Sequence, residues 1–296
     1  MNYLSHLYRL LKLYSLFTDC ELPENFLPQN KTSLIAKLLR IKKHKNKTFS
    51  DVLIQLGPSY IKLGQFLATR PDIIGGKFAL ELSNLQDNLP TFANEISQKI
   101  VEEDFNTDIK NVFTEFNEPI AAASIAQVHT GKIDDNQKVA IKILRPKIEE
   151  KFRDDFKFFY FVSGLLEKLN PNLMRLKFTE SIQTMERSVK MEMDLRFEAA
   201  AISEINNNMT DEDEYIIPKI FWEKTTRKIL TIEWIDGISI RDRDSLKKRG
   251  FDLKNLARII IQSFLTQALR NGFFHADMHQ GNLLINEQGK LVILDF

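Results

Sequence analysis

The chain has a single cysteine in 296 residues, Cys20, so no internal disulfide can form and packing alone must hold the fold, as suits a reducing compartment. Cys20 lies between Asp19 and Glu21, with no neighbouring cation to make the thiol reactive, and is read as inert. An excess of charge is also missing. With 41 Lys and Arg against 40 Asp and Glu the net charge is +1, which excludes the strongly basic face that nucleic-acid binding needs. No run approaches the ~20 uncharged apolar residues of a membrane-spanning helix. The N-terminal MNYLSHLYRLLKLYSLF comes nearest, but Arg9 and Lys12 interrupt it, and no small-residue cleavage site follows that would mark a signal peptide.

What is present is ordinary for a globular protein: 43% apolar and 27% charged residues, in a 34.4 kDa chain long enough for two lobes. Leu4, Leu7, Tyr8, Leu11 and Tyr14 recur at helical spacing, and a basic run follows at Arg40, Lys42, Lys43, Lys45 and Lys47. This reads either as a helix lying on an anionic membrane surface or as a helix packed on the domain with a solvated basic loop after it. Residues 1–115 are predicted helical, with Pro58 in the first turn of a helix and punctuation at Arg70-Pro71-Asp72 and Gly75-Gly76. Ile125–Ile133 and Lys138–Leu144 then form a strand–turn–strand pattern, Arg145-Pro146 ends the second strand, and residues 147–208 are helical again. A strand is predicted over 229–235, a helix over 253–270, and a hairpin around Glu287-Gln288-Gly289. That order is α+β, a bilobal protein-kinase-like fold with an N-terminal helical extension. It divides into an amphipathic and basic segment (1–50), a helical extension (51–115), an N-lobe with inserted helices (116–237) and a partial C-lobe (238–296).

The sharpest chemical signal is HADMHQGN, His275 to Asn282. Phosphoryl transfer depends on positioning and charge neutralisation, so it needs a carboxylate beside the acceptor and hard oxygen ligands for Mg²⁺. Asp277 and Asn282 stand at the H-x-D-x-x-x-x-N spacing of catalytic Asp and metal ligand. Asp295, after the β-like run KLVIL, can supply a second hard oxygen. Lys142 in VAIKIL points away from Ile141 and Ile143, as a strand lysine would to meet ATP phosphates. The glycine-rich turn expected before it is absent, and Ala121, Ala122, Ala123 and Ser124 take its place. Alanine does not visit positive φ freely, so this turn must be stiffer, although its N–H groups can still face phosphate. IEWIDG, with Glu233 and Ile235, reads either as an inter-lobe hinge holding adenine or as an ordinary strand and turn. Glu192, Asp194 and Glu198 fall on one predicted helix, where most acidic residues are merely solvated; only Asp194 and Glu198 share a face.

These motifs, together with KLGQ at Lys62–Gln65, the EMD triplet at Glu192–Asp194 and AAASIAQVH, resemble the UbiB family of atypical protein-kinase-like proteins, which support ubiquinone biosynthesis. The likeness spans residues 51–296. It implies that Lys142 holds the α- and β-phosphates, that Glu198 pairs with it, that Asp277 is catalytic and that Asn282 and Asp295 bind Mg²⁺. It also implies that the K-x-G-Q helix, through Lys62, Gly64 and Gln65, folds over the site and with Glu192 and Asp194 restricts access. ATP, ubiquinone-biosynthesis proteins or lipid precursors, and a membrane surface at the cytoplasmic face of the inner membrane are the implied partners; nucleic acid is not one.

The sequence stops at Asp295-Phe296, so the C-terminal lobe is expected to be incomplete, with Phe264, Leu265 and Phe273 left exposed and the chain only marginally stable. Two rival readings remain at this stage: a small-molecule phosphotransferase, which can carry the same loop, and a non-catalytic nucleotide-sensing scaffold.

Overall fold

Apolar residues at helical spacing build the first third of the chain, and strand alternation takes over after residue 125. The structure, a computed structural model, describes all residues except 1–2, 18–19, 21–46, 84, 86–88, 170, 210–211, 276–277, 279 and 295–296. The elements are α1 (Tyr3–Phe17), α2 (Phe49–Leu56), α3 (Pro58–Ala68), α4 (Pro71–Ile74), α5 (Gly76–Ser83), α6 (Asn94–Phe105), β1 (Glu115–Ala122), β2 (Ala126–Lys132), β3 (Lys138–Leu144), α7 (Ile148–Leu169), α8 (Phe178–Glu192), α9 (Leu195–Asn208), β4 (Tyr215–Ile216), β5 (Ile229–Glu233), β6 (Ile238–Ser239), α10 (Arg243–Lys248), α11 (Leu253–Leu265), β7 (Leu283–Ile285) and β8 (Leu291–Ile293). Two compact units result. One holds Met1–Thr91, Ala122–Ala126 and Arg145–Lys190; the other holds Phe92–Ala121, Gln127–Leu144 and Met191–Phe296.

The first unit is mainly helical. Thr48 caps α2 in a capping box with Asp51, and Gly57 at φ 98° ends α2 and opens α3, with Pro58 where no N–H is required. Gly64 sits where α3 runs closest to its neighbours: a Cβ there would meet Leu53 Cδ1 at 2.7 Å and Leu85 Cδ2 at 2.8 Å. α1 turns its leucine stripe outward. Its Leu7, Tyr8 and Leu11 are exposed, and the residues it turns inward are His6, Arg9 and Leu13. Arg9 ion-pairs with Asp155, donates to Tyr60 Oη at 2.9 Å and lies 4.4 Å from the Phe158 ring centre. His6 stacks on Phe161. The need of a buried carboxylate for a cation outranks the leucine stripe. The side chains of Leu4 and Tyr14, and the basic run from Arg40 to Lys45, lie outside the described residues.

The second unit carries two four-stranded sheets, ordered β1-β2-β3-β5 and β4-β8-β7-β6. β3 and β5 pair antiparallel from Val139↔Glu233 to Ile143↔Ile229. Val139, Ile141 and Ile143 are wholly buried and pack with Val101, Phe113 and Ile229, which leaves Lys142 on the opposite face of the strand. β1 is a strand the sequence pattern did not announce. It absorbs Ala121 and Ala122, so the turn proper is Ala123–Ile125 and not the whole Ala121–Ser124 stretch. The single helix expected through 192–198 is also corrected: α8 ends at Glu192 and α9 starts afresh, with Asp194 as its N-cap at φ −127°. The strand expected to Ile235 stops at Glu233, and the helix expected to Arg270 is α-helical only to Leu265, after which Thr266–Asn271 form a π turn. Phe264, Leu265 and Phe273 are exposed, at 40, 45 and 39% of their surface. Among the described residues no helix is long and apolar enough to cross a membrane.

Candidate nucleotide site

Strand alternation sets Lys142 and a helix start sets its partner. Asp194 accepts the Arg196 N–H at the head of α9, the Leu195 N–H donates to the Arg227 carbonyl beside β5, and Glu198 thereby falls in the first turn of α9. Lys142 Nζ then lies 2.8 and 2.9 Å from the two Glu198 carboxylate oxygens, with the side chains only 18 and 15% exposed. An ammonium held bidentately in a low-dielectric setting is fixed in place and keeps its charge paired. The structure therefore brings together two residues separated by 56 positions that the sequence had linked only through a family likeness.

Asp194 has a local occupation. Its carboxylate grips the Arg196 guanidinium at 2.9 and 2.7 Å, and that contact with the neighbouring guanidinium holds it below the ordinary carboxylate range. Glu192 closes α8 and is half-buried. Glu233 is the last residue of β5; its N–H donates to the Lys219 carbonyl at 2.8 Å, and its carboxylate accepts the Lys219 N–H. Ile235 follows in the loop, half-buried. In the first unit, Lys62, Gly64 and Gln65 lie along α3.

The approach to the HADMHQGN segment is built by the π turn. Gln267, wholly buried, accepts the His275 N–H at 2.9 Å and donates to Ser263 Oγ at 3.1 Å. Asn271 donates to the Asn208 carbonyl, and Gly272 at φ 68° turns the chain. Beyond the loop, β7 and β8 pair from Leu283↔Ile293, and the Leu294 N–H donates to the Asn282 carbonyl at 2.9 Å. The Asn282 side-chain amide oxygen is a hard donor of the kind Mg²⁺ takes. Asp277 and Asp295 themselves lie outside the described residues. Among the described residues no group of three or more His, Cys, Asp or Glu gathers as a metal site.

Two features escaped the sequence reading. Arg145, taken only as a strand terminator, sends its guanidinium to the Ala123 carbonyl at 3.0 and 2.9 Å. Gln127 and His129, inside AQVH, form a buried polar cluster with Ser97: Gln127 donates to Ser97 Oγ at 2.8 Å and accepts the Phe92 N–H at 2.9 Å. His129 Nδ1 faces the Asn117 carbonyl at 2.9 Å, which assigns Nδ1 as the donor and leaves Nε2 to accept from Ser97 or Gln127. Burial holds this imidazole below its ordinary pKa.

A strand lysine locked to a helix glutamate beside a β-sheet, with a helix and π turn leading to His275 and a β-hairpin after Asn282, defines a protein-kinase-like fold. The chain belongs to the ABC1 atypical kinase-like family, whose domain matches residues 84–296. It is 38% identical over 298 residues to the probable protein kinase UbiB of Histophilus somni, covering 96% of this chain and 55% of that protein. The probable protein kinase UbiB of Marinobacter nauticus is 37% identical over 249 residues, covering 82% of this chain and 46% of that one. The chain thus spans about half the length of the curated relatives it matches. Among solved structures, Rv3197 of Mycobacterium tuberculosis, determined in complex with erythromycin, is similar with a TM-score of 0.60 at 26% identity, over 83% of this chain and 62% of that one. The likeness to the UbiB family drawn from the motifs is borne out.

Proposed function

We propose that this chain is the Mg-ATP-binding portion of an atypical kinase or ATPase that supports ubiquinone biosynthesis. The observation that carries the reading is the Lys142–Glu198 pair, a lysine that is held in place by one carboxylate and buried too well to be a surface charge. In this proposal Lys142 binds the α- and β-phosphates and Glu198 orients it. Ala121 and Ala122 at the end of β1, with Ala123 and Ser124 of the turn, meet the phosphates, and Glu233 and Ile235 hold the adenine. Asp277 is the catalytic Asp, and Asn282 with Asp295 carries Mg²⁺, which when bound neutralises phosphate charge. Asp194 acts through the start of α9 and hence the position of Glu198. Lys62, Gly64 and Gln65 of α3, with Glu192, restrict access of an acceptor. Ubiquinone-biosynthesis proteins or lipid precursors at a membrane surface, on the cytoplasmic side of the inner membrane, complete the setting.

The test is ubiquinone content in cells lacking this gene, complemented with the parent or with Asp277→Asn. Restoration by the parent and not by the variant is expected. Equal restoration by both would defeat the catalytic part of the reading.

A further inference from the structure

We propose that Arg145 is a positioning residue that locks the turn between β1 and β2 in one conformation, so that nucleotide meets a turn already ordered. The role rests on the nucleotide-binding reading above and adds a residue to it.

Arg145 follows β3 directly, and Pro146, which has no N–H, ends the ladder there. The Arg145 backbone N–H donates to the Ile125 carbonyl at 2.8 Å. Nε and Nη2 converge on the Ala123 carbonyl, and Nη1 reaches the Pro90 carbonyl at 3.0 Å. Inside the turn the Ala123 N–H donates to the Ala126 carbonyl at 2.8 Å. Ser124 and Ile125 are buried, at 1 and 7% exposure, which is unusual for a surface turn.

One residue therefore takes two of the turn's carbonyls and ties them to the segment at Pro90. Because a peptide unit is planar and trans, holding the Ala123 carbonyl also fixes the direction of the Ser124 N–H. A glycine turn would flip this peptide readily; alanine resists the flip through its Cβ, and the guanidinium resists it through hydrogen bonds. The two devices act in the same sense. A guanidinium is required because only a planar fork reaches two carbonyls in fixed directions; an ammonium of the same charge cannot.

The experiment compares the full chain with Arg145→Lys and Arg145→Met, reading amide hydrogen exchange of peptides spanning 118–128 and the dissociation constant for Mg-ATP. Both variants are expected to speed exchange in that turn, and to weaken Mg-ATP by about tenfold because the competent turn becomes a minor population. Peptides of β3 and β5 should exchange as in the parent. Parent-like exchange and affinity in Arg145→Lys would show that charge suffices and would overturn the proposal. Acceleration spread evenly through β3 and β5 would also overturn it, by making Arg145 a core residue. If the parent itself bound no Mg-ATP, the nucleotide reading would fail, and turn exchange in Arg145→Lys would decide the role of Arg145 by the same criterion.

Discussion

Among the described residues each unit contains one well-buried ion pair, and the two are built differently. In the first unit, Arg9 and Asp155 are joined by Tyr60 Oη and by the Phe158 ring under the guanidinium, so cation, anion, hydroxyl and aromatic face close on one another. Burial pushes the Tyr60 phenol up to about 12, so it stays a neutral donor and acceptor across the physiological range. In the second unit, Lys142 meets Glu198 through both carboxylate oxygens, on the face of β3 opposite Ile141 and Ile143. The first arrangement fastens α1 to the helices. The second holds an ammonium on a sheet face, where the proposed function gives it a phosphate to meet.

The largest effect should come from breaking the first pair. Asp155→Ala leaves a guanidinium facing Tyr60 with no counter-charge and is expected to destabilise the first unit by ~3 kcal/mol in chemical denaturation, with Mg-ATP affinity unchanged. A loss below ~1 kcal/mol would make the pair a surface-like contact and remove the contrast. Next, Glu198→Gln keeps the shape and one hydrogen bond but not the charge. It should cost only ~1 kcal/mol of stability while weakening Mg-ATP about tenfold by equilibrium titration. A large stability loss with intact affinity would put this pair in the same class as Arg9–Asp155.

The smallest effect concerns the buried His129 cluster. Its imidazole is held below the ordinary value of 6.5 by burial, so the unfolded chain takes up a proton that the folded chain resists. The stability His129 contributes is present above about pH 6.5 and is lost as pH falls below it, with a slope no steeper than ~1.4 kcal/mol per pH unit. His129→Gln should flatten that part of a stability–pH profile; an unchanged slope would show that other groups cause it.

Much of this was legible in the chain itself, for physical reasons that differ from place to place. The β2–β3 hairpin, the Pro58 helix start and the 287–289 turn are local events, written in alternation and turn residues. The Lys142–Glu198 contact joins residues far apart, and only the family likeness linked them before the fold did. β1 was hidden because EFNEPIAA does not alternate and carries a proline. The break at Asp194 was hidden because apolar spacing runs through MEMDLRF without interruption, although an Asp ahead of an apolar run is an N-cap signal. The inward face of α1 was unreadable because its reason, Asp155, lies 146 residues away. Arg145 looked like a strand end because a guanidinium's targets are carbonyls, which leave no trace in composition.

The central claim is that Lys142 is maintained for nucleotide and not for stability, and a thermal melt with and without Mg-ATP tests it most directly. The account predicts that the double variant Lys142→Met/Glu198→Leu, which strands neither charge, melts within a few degrees of the parent in the absence of nucleotide and loses the Mg-ATP-induced rise that the parent shows. An equal rise in both proteins would contradict it.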